Sequence, residues 1–197
     1  MTAAVVRAGA TSANRASGGT TLVVTLPANS NGEEIFIAYA SDGDADTASI
    51  TGYTAKYSNI DIGGAGVFCL FQKTSNGSEP STVTINNTVS ELACAIAFVI
   101  QNYNGIDVTG TNQSGTGSTA TVPSITTTQT DTLRISLVAG AKDIRALGTA
   151  SGHTLIIDNG QSSGGAITAQ SKALPSSGTD GSATVSVGTP GTGGWVG

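Results

Sequence analysis

Asn-Gly occurs at 31–32, 76–77, 104–105 and 159–160, each beside an apolar or alternating run. That dipeptide tolerates positive φ and is the strongest short-range hairpin signal. Turn residues recur every 8–14 positions between these runs, too often for helices of ordinary length and at the spacing of a sandwich or barrel. The predicted strands are 20–26, 33–40, 48–57, 65–73, 81–86 and 91–102, then 118–125, 131–139, 144–157, 164–173 and 181–187. EEIFIAYA and ELACAIAFVI are nearly continuous in apolar groups and read as central strands covered on both faces. STVTIN and SATVSV alternate and read as strands with one wet face.

Composition agrees. Thr and Val are abundant, which favours strands over helices. Hydrophobic residues reach 38% and are gathered into runs, so the low charge (11%) does not mean disorder. The expected fold is all-β: a two-sheet antiparallel β-sandwich, jelly-roll-like, with an internal pseudo-repeat and no substantial helix. At 197 residues it is read as a single domain over 1–197, with residues 1–19 a candidate anchoring arm and halves at about 20–105 and 118–190.

The repeat appears at an offset of one hundred residues: Gly52-Tyr53-Thr54 falls on Gly152-His153-Thr154, Asn59 on Asn159, and Ile35 on Ile135. Two halves of similar strand order suit one sandwich in which each half supplies strands to both sheets.

Net charge is −5, and the eight Lys and Arg are scattered singly. No basic stripe exists for a phosphate backbone, which argues against nucleic acid and anionic membranes as partners. The N-terminus lacks the basic start and long apolar run of a signal peptide. The most apolar stretch, 92–100, is nine residues, short of the ~20 of a membrane helix. Cys69 and Cys94 lie in apolar runs and read as buried free thiols, with their pairing left open.

His153 is the sole histidine, so any triad or histidine-based acid–base chemistry must use it. GQSSG at 160–164 matches the nucleophile-elbow pattern, but strand rather than helix follows it. His153 is therefore read as a structural turn residue. DGDADT places Asp42, Asp44 and Asp46 at alternate positions, a weak Ca²⁺ candidate that fails as an EF-hand because Thr47 and Tyr53 stand where Gly and Glu are required. No pair among the thirteen acids stands out for glycoside hydrolysis. No catalytic residue, cofactor or metal site is assigned. Trp195, in the terminal GTGGWVG, looks exposed or interface-bound, and Arg7 and Arg15 are further interface candidates. The sequons at Asn76, Asn86 and Asn112 carry little weight in so Ser/Thr-rich a chain.

The order of motifs has a parallel. An apolar strand ending at Pro27 is followed by Gly32-Glu33, Gly52-Tyr53-Thr54, Ser78-Glu79-Pro80 and Tyr103-Asn104-Gly105. This run resembles the β-sandwich structural proteins of tailed-phage virions, with Tyr53 and His153 where that pattern has Trp. The resemblance implies a non-enzymatic virion protein, most like a capsid decoration (cement) protein on the capsid exterior, made in the host cytoplasm. It implies the major capsid protein as partner and a homotrimer as assembly. The alternative is a tail-fibre, spike or surface module that binds host glycans, using aromatics such as Tyr57, Tyr103 or Trp195.

Overall fold

The computed structural model describes residues 2–43, 46–142, 147–160, 165–188 and 194–197. The first nine strands are β1 (Val5–Val6), β2 (Thr11–Arg15), β3 (Thr21–Thr25), β4 (Glu34–Ser41), β5 (Ala48–Ser49), β6 (Thr54–Asp61), β7 (Val67–Thr74), β8 (Thr82–Asn87) and β9 (Ala93–Gln101). The second nine are β10 (Ser114–Gly115), β11 (Thr119–Val122), β12 (Ile125–Thr127), β13 (Thr132–Gly140), β14 (Thr154–Gly160), β15 (Ala166–Leu174), β16 (Gly178–Asp180), β17 (Ala183–Ser186) and β18 (Trp195–Val196). Among the described residues there is no helix.

The protein is an all-β, antiparallel jelly-roll-like sandwich. Among the described residues its strands pair only within their own half. In the first half β9-β4-β7-β6, edged by β1 and β2 on β9, faces a small sheet β3-β8-β5. In the second, β10-β18-β13-β15-β14 faces β11-β17, extended by a bridge between Leu147 and Val187; β12 and β16 form a separate ribbon. The expectation that each half lends strands to both sheets is therefore corrected. Each half builds its own two layers, and the two large sheets pack back to back.

Three apolar cores follow. Leu22, Val24, Ile35, Ile37, Tyr39, Phe71 and Ile85 fill the first half. Ala120, Val122, Val138, Leu147, Val185 and Trp195 fill the second. A third core lies between the large sheets, where Ala38, Ala40, Cys94 and Ile96 share a cluster with Ala139, Ala141, Ile167 and Ala169. This is why β4 and β9 are apolar almost throughout: they are covered on both faces. β13 divides instead, turning Leu133, Ile135 and Leu137 toward the third core and burying Arg134, Ser136 and Val138.

Register shows how the halves correspond. Ile35 pairs with Lys73, and Arg134 with Lys172. Ile35 thus matches Arg134, not Ile135. A slip of one residue turns a side chain to the opposite face, so the Ile identity at offset one hundred joins residues that face different cores. In the edge strands the offset is one hundred: the bulge at Ala55/Tyr57 recurs at Leu155/Ile157. The preceding turns match too. Tyr53 N–H donates to Ile50 O at 3.2 Å and His153 N–H to Ala150 O at 3.0 Å. Gly52 (φ 80°) and Gly152 (φ 75°) supply the left-handed residue each turn needs.

Strands β1, β2, β10, β16 and β18 were not predicted from sequence. TSANR is small and polar because β2 is an edge, with alternate residues in water. The segment containing Arg7 and Arg15 runs along β9, with Thr11 opposite Ala97 and Arg15 opposite Ala93. Cys69 pairs across from Tyr39 and Cys94 from Ala40, neighbours in β4 that face opposite sides of the sheet. The thiols are free and buried on different faces, and burial pushes Cys94 up to about 12.

The back-to-back seam is small-residue packing plus one amide. Asn159 Nδ2 donates to Ala13 O and Ala95 O, both at 3.1 Å, tying β14 to β2 and β9. At the opposite edge Gly194 lies so close to Ile62 and Gly63 that a Cβ would collide with their backbone. Asn159→Ala should cost about 1–3 kcal/mol, since it removes a buried donor from two carbonyls. Equilibrium denaturation of the variant beside wild type measures this; an unchanged midpoint would show that the amide does not join the halves.

Candidate functional site

Where the first half buries hydrocarbon, the second buries polar groups. By register Ile35, Ile37, Cys69 and Phe71 correspond to Arg134, Ser136, Thr168 and Gln170. Each replacement is satisfied. Gln170, fully buried, accepts from Ala150 N–H at 2.7 Å and donates to Gly148 O at 2.9 Å. Thr168 Oγ1 donates to Ile157 O at 3.3 Å. Arg134 donates to Asp180 Oδ2 and Pro123 O, each at 2.5 Å, and to Gly181 O at 3.1 Å.

Asp180 also receives Lys172 Nζ at 2.5 Å. Burial works against its charge, but hydrogen bonds from Lys172 and Arg134 outweigh that and hold the carboxyl below the usual range. The first half has a simpler version: Lys73 pairs with Glu79 at 2.5 Å and sits 5.6 Å from the centre of the Tyr53 ring. Lys172, Asp180 and His153 with Ser151 line a polar pocket of about 370 Å³.

His153 is held by its turn. Nδ1 lies 3.2 Å from Ser151 O. A carbonyl only accepts, so Nδ1 carries the proton and Nε2 accepts from the Ser136 hydroxyl at 3.2 Å. The pair has the order of a serine–histidine dyad, but Ser136 is only 3% exposed in mid-strand. A backbone carbonyl, not a carboxylate, stands behind the ring. The bond between this hydroxyl and the ring pins β13 to the turn. Of the nucleophile-like GQSSG only Gly160 lies among the described residues.

The acidic loop is likewise engaged in structure. Asp42 Oδ1 accepts Leu92 N–H at 3.0 Å. Asp46 takes the Tyr39 hydroxyl at 2.8 Å on one oxygen, and Thr88 and Val89 N–H at 3.1 and 3.3 Å on the other. Asp44 lies outside the described residues. No group of three potential metal ligands occurs among the described residues.

Arg7 clasps Glu33 at 2.6 Å. Arg15 donates to Glu91 O and Asn87 Oδ1, both at 2.7 Å. Trp195, expected at the surface, is buried in the second core over Gly115, where a Cβ would meet its ring. The glycines around it signalled a loop, whereas the glycine that makes room for the ring is the distant Gly115.

Tyr57 and Tyr103 are brought to one place. They line, with Phe36, Phe68 and Phe98, a cleft of about 720 Å³ between the large sheets. Neither cleft nor polar pocket was visible in the sequence, because the cleft depends on how the halves meet and the pocket on long-range packing within the second half.

No protein-family model and no curated protein matches the chain. One solved structure, described as "The Triple Jelly Roll Fold and Turret Assembly in an Archaeal Virus", is similar at 11% identity and a TM-score of 0.21, over 94% of this chain. The chain spans 59% of that one's length. A likeness of this size establishes no family, and the jelly-roll assignment stands on strand pairing.

Burial disfavours the charged His153 ring, and Arg134 and Lys172 add repulsion, so its pKa lies below the ordinary 6.5. Between those values the unfolded chain binds more protons, so stability falls as pH drops below 6.5. The imidazole resonances of this sole histidine should titrate with a midpoint under 6.5, and His153→Gln should flatten that part of the stability profile. A midpoint at or above 6.5 would contradict the half-buried neutral ring.

Proposed function

We propose that the chain is a non-enzymatic structural protein of a phage particle, decorating the capsid exterior and stabilising it through repeated contacts with the major capsid protein. The observation that carries this reading is the use made of the reactive residues. His153, Asp42, Asp46, Arg134 and Lys172 each hold a turn, a loop or a sheet in place. The turn motifs shared with tailed-phage virion proteins support the same reading, as does a jelly roll, a fold used by capsids and also by lectins. Repeated copies on a lattice need only weak contacts each, so rigidity matters more than a single tight interface. A homotrimer at three-fold positions follows from the resemblance. Among the described residues no helix is long and apolar enough to cross a membrane.

A second reading, a glycan-binding surface module, is favoured by the meeting of Tyr57 and Tyr103 in one cleft. Electron micrographs of purified particles with and without the chain decide between them. Decoration predicts added density at a fixed number of copies per capsid and trimers in solution. Absence from the capsid, together with glycan binding lost in Tyr57→Ala and Tyr103→Ala, would overturn it.

A further inference from the structure

The seam between the large sheets is tight at its alanines and open elsewhere. The side chains beyond them are large: Leu133, Ile135 and Leu137 pack against the cluster that holds Phe36, Phe98 and Ile100 but are themselves only partly buried, and they border an open cleft. Phe36 stacks on Phe98 at 5.5 Å and meets Tyr103 edge-on at 6.0 Å, forming an aromatic wall. The cleft of about 720 Å³ that results lies in the ~300–1,000 Å³ range of small-molecule sites.

An empty apolar void is destabilising in proportion to its volume, and apolar walls hold water poorly. The cleft nevertheless has a fastened roof. Along the segment 102–110, Asn102 Nδ2 donates to Ala3 O at 3.2 Å, Gln72 Nε2 to the Tyr103 hydroxyl at 3.0 Å, and the Tyr57 hydroxyl to Gly110 O at 3.4 Å. Asp107 accepts Thr128 N–H at 2.8 Å and Gln129 N–H at 3.2 Å. The segment is therefore fastened along its length over the cleft.

Its polar groups define the occupant. The carboxylates Asp107 and Asp131 line the cleft, and the one cation among its described lining residues, Arg134, is already bonded to Asp180, Gly181 and Pro123. Thr132, also in the lining, has a buried Oγ1 without a hydrogen-bond partner. The Tyr57 hydroxyl donates to Gly110 O and the Tyr103 hydroxyl accepts from Gln72, so both help to fasten the roof.

We propose that this cleft binds a small ligand with a hydrocarbon body and a cationic, hydrogen-donating head, the body against the Phe36–Phe98 wall and the head toward Asp131 and Thr132. The observations behind it are the unfilled wedge, the fastened roof and the purely acidic uncompensated charge.

Calorimetric titration of the full chain with octylammonium, octanol and octanoate, below micelle formation, tests body and head separately. Octylammonium binds tightest at one per chain, octanol more weakly, and octanoate not measurably. Asp131→Asn, tolerated because position 131 has φ 55°, weakens octylammonium by about three- to fivefold, as an exposed ion pair allows, and leaves octanol unchanged. Leu137→Trp, which fills the cleft, abolishes both. Octanoate binding as tightly as octylammonium would overturn the head assignment. No saturable binding, or amide shifts on binding that avoid 102–110 and 131–137, would overturn the site.

Discussion

The contact between the two large sheets governs the rest of the molecule. It is made by residues too small to interdigitate deeply, Ala38 and Ala40 from one sheet with Ala139, Ala141 and Ala169 from the other. Small side chains let the sheets approach along one line, and the Asn159 amide locks that line to the β2–β9 ladder. Elsewhere larger side chains, Phe36, Phe98, Leu133 and Ile135 among them, join the same cluster and border the cleft. One seam therefore buries the inner faces of both jelly rolls and leaves a wedge lined by aromatics.

The second half shows how far an interior can change while pairing is retained. Four apolar positions of the first half have become Arg134, Ser136, Thr168 and Gln170, and the ladder and bulge persist. Buried polar groups are tolerated when every donor and acceptor is met. That condition explains why Asp180 serves two cations and why Ser136 requires His153. The histidine is thus part of an altered interior, in the turn where the first half has Tyr53. The same register places Lys172, which pairs with Asp180, where Lys73 stands.

Much of the fold was legible in the sequence. Asn-Gly and Gly-rich punctuation located most of the long strands, and the continuous apolar runs of 34–41 and 93–101 marked those covered on both sides. The matched turns at Tyr53 and His153 were legible because they rest on local glycine geometry. What failed was long-range. β2 gives no apolar signal because it is an edge, and Trp195 sits among glycines that suggest exposure although its ring is buried over the distant Gly115. Identity at offset one hundred paired Ile35 with Ile135, and only strand register shows that they face different cores. The cleft belongs to neither half, so no motif within a half could announce it.

Native-state hydrogen exchange across the central strands tests the back-to-back arrangement most directly. If the seam makes one cooperative unit, the slowest amides of β4 and β9 and those of β13 and β15 exchange with the same opening free energy and the same denaturant dependence. Two distinct free energies, with β13 and β15 opening while β4 and β9 stay protected, would show that the halves fold apart and contradict the account.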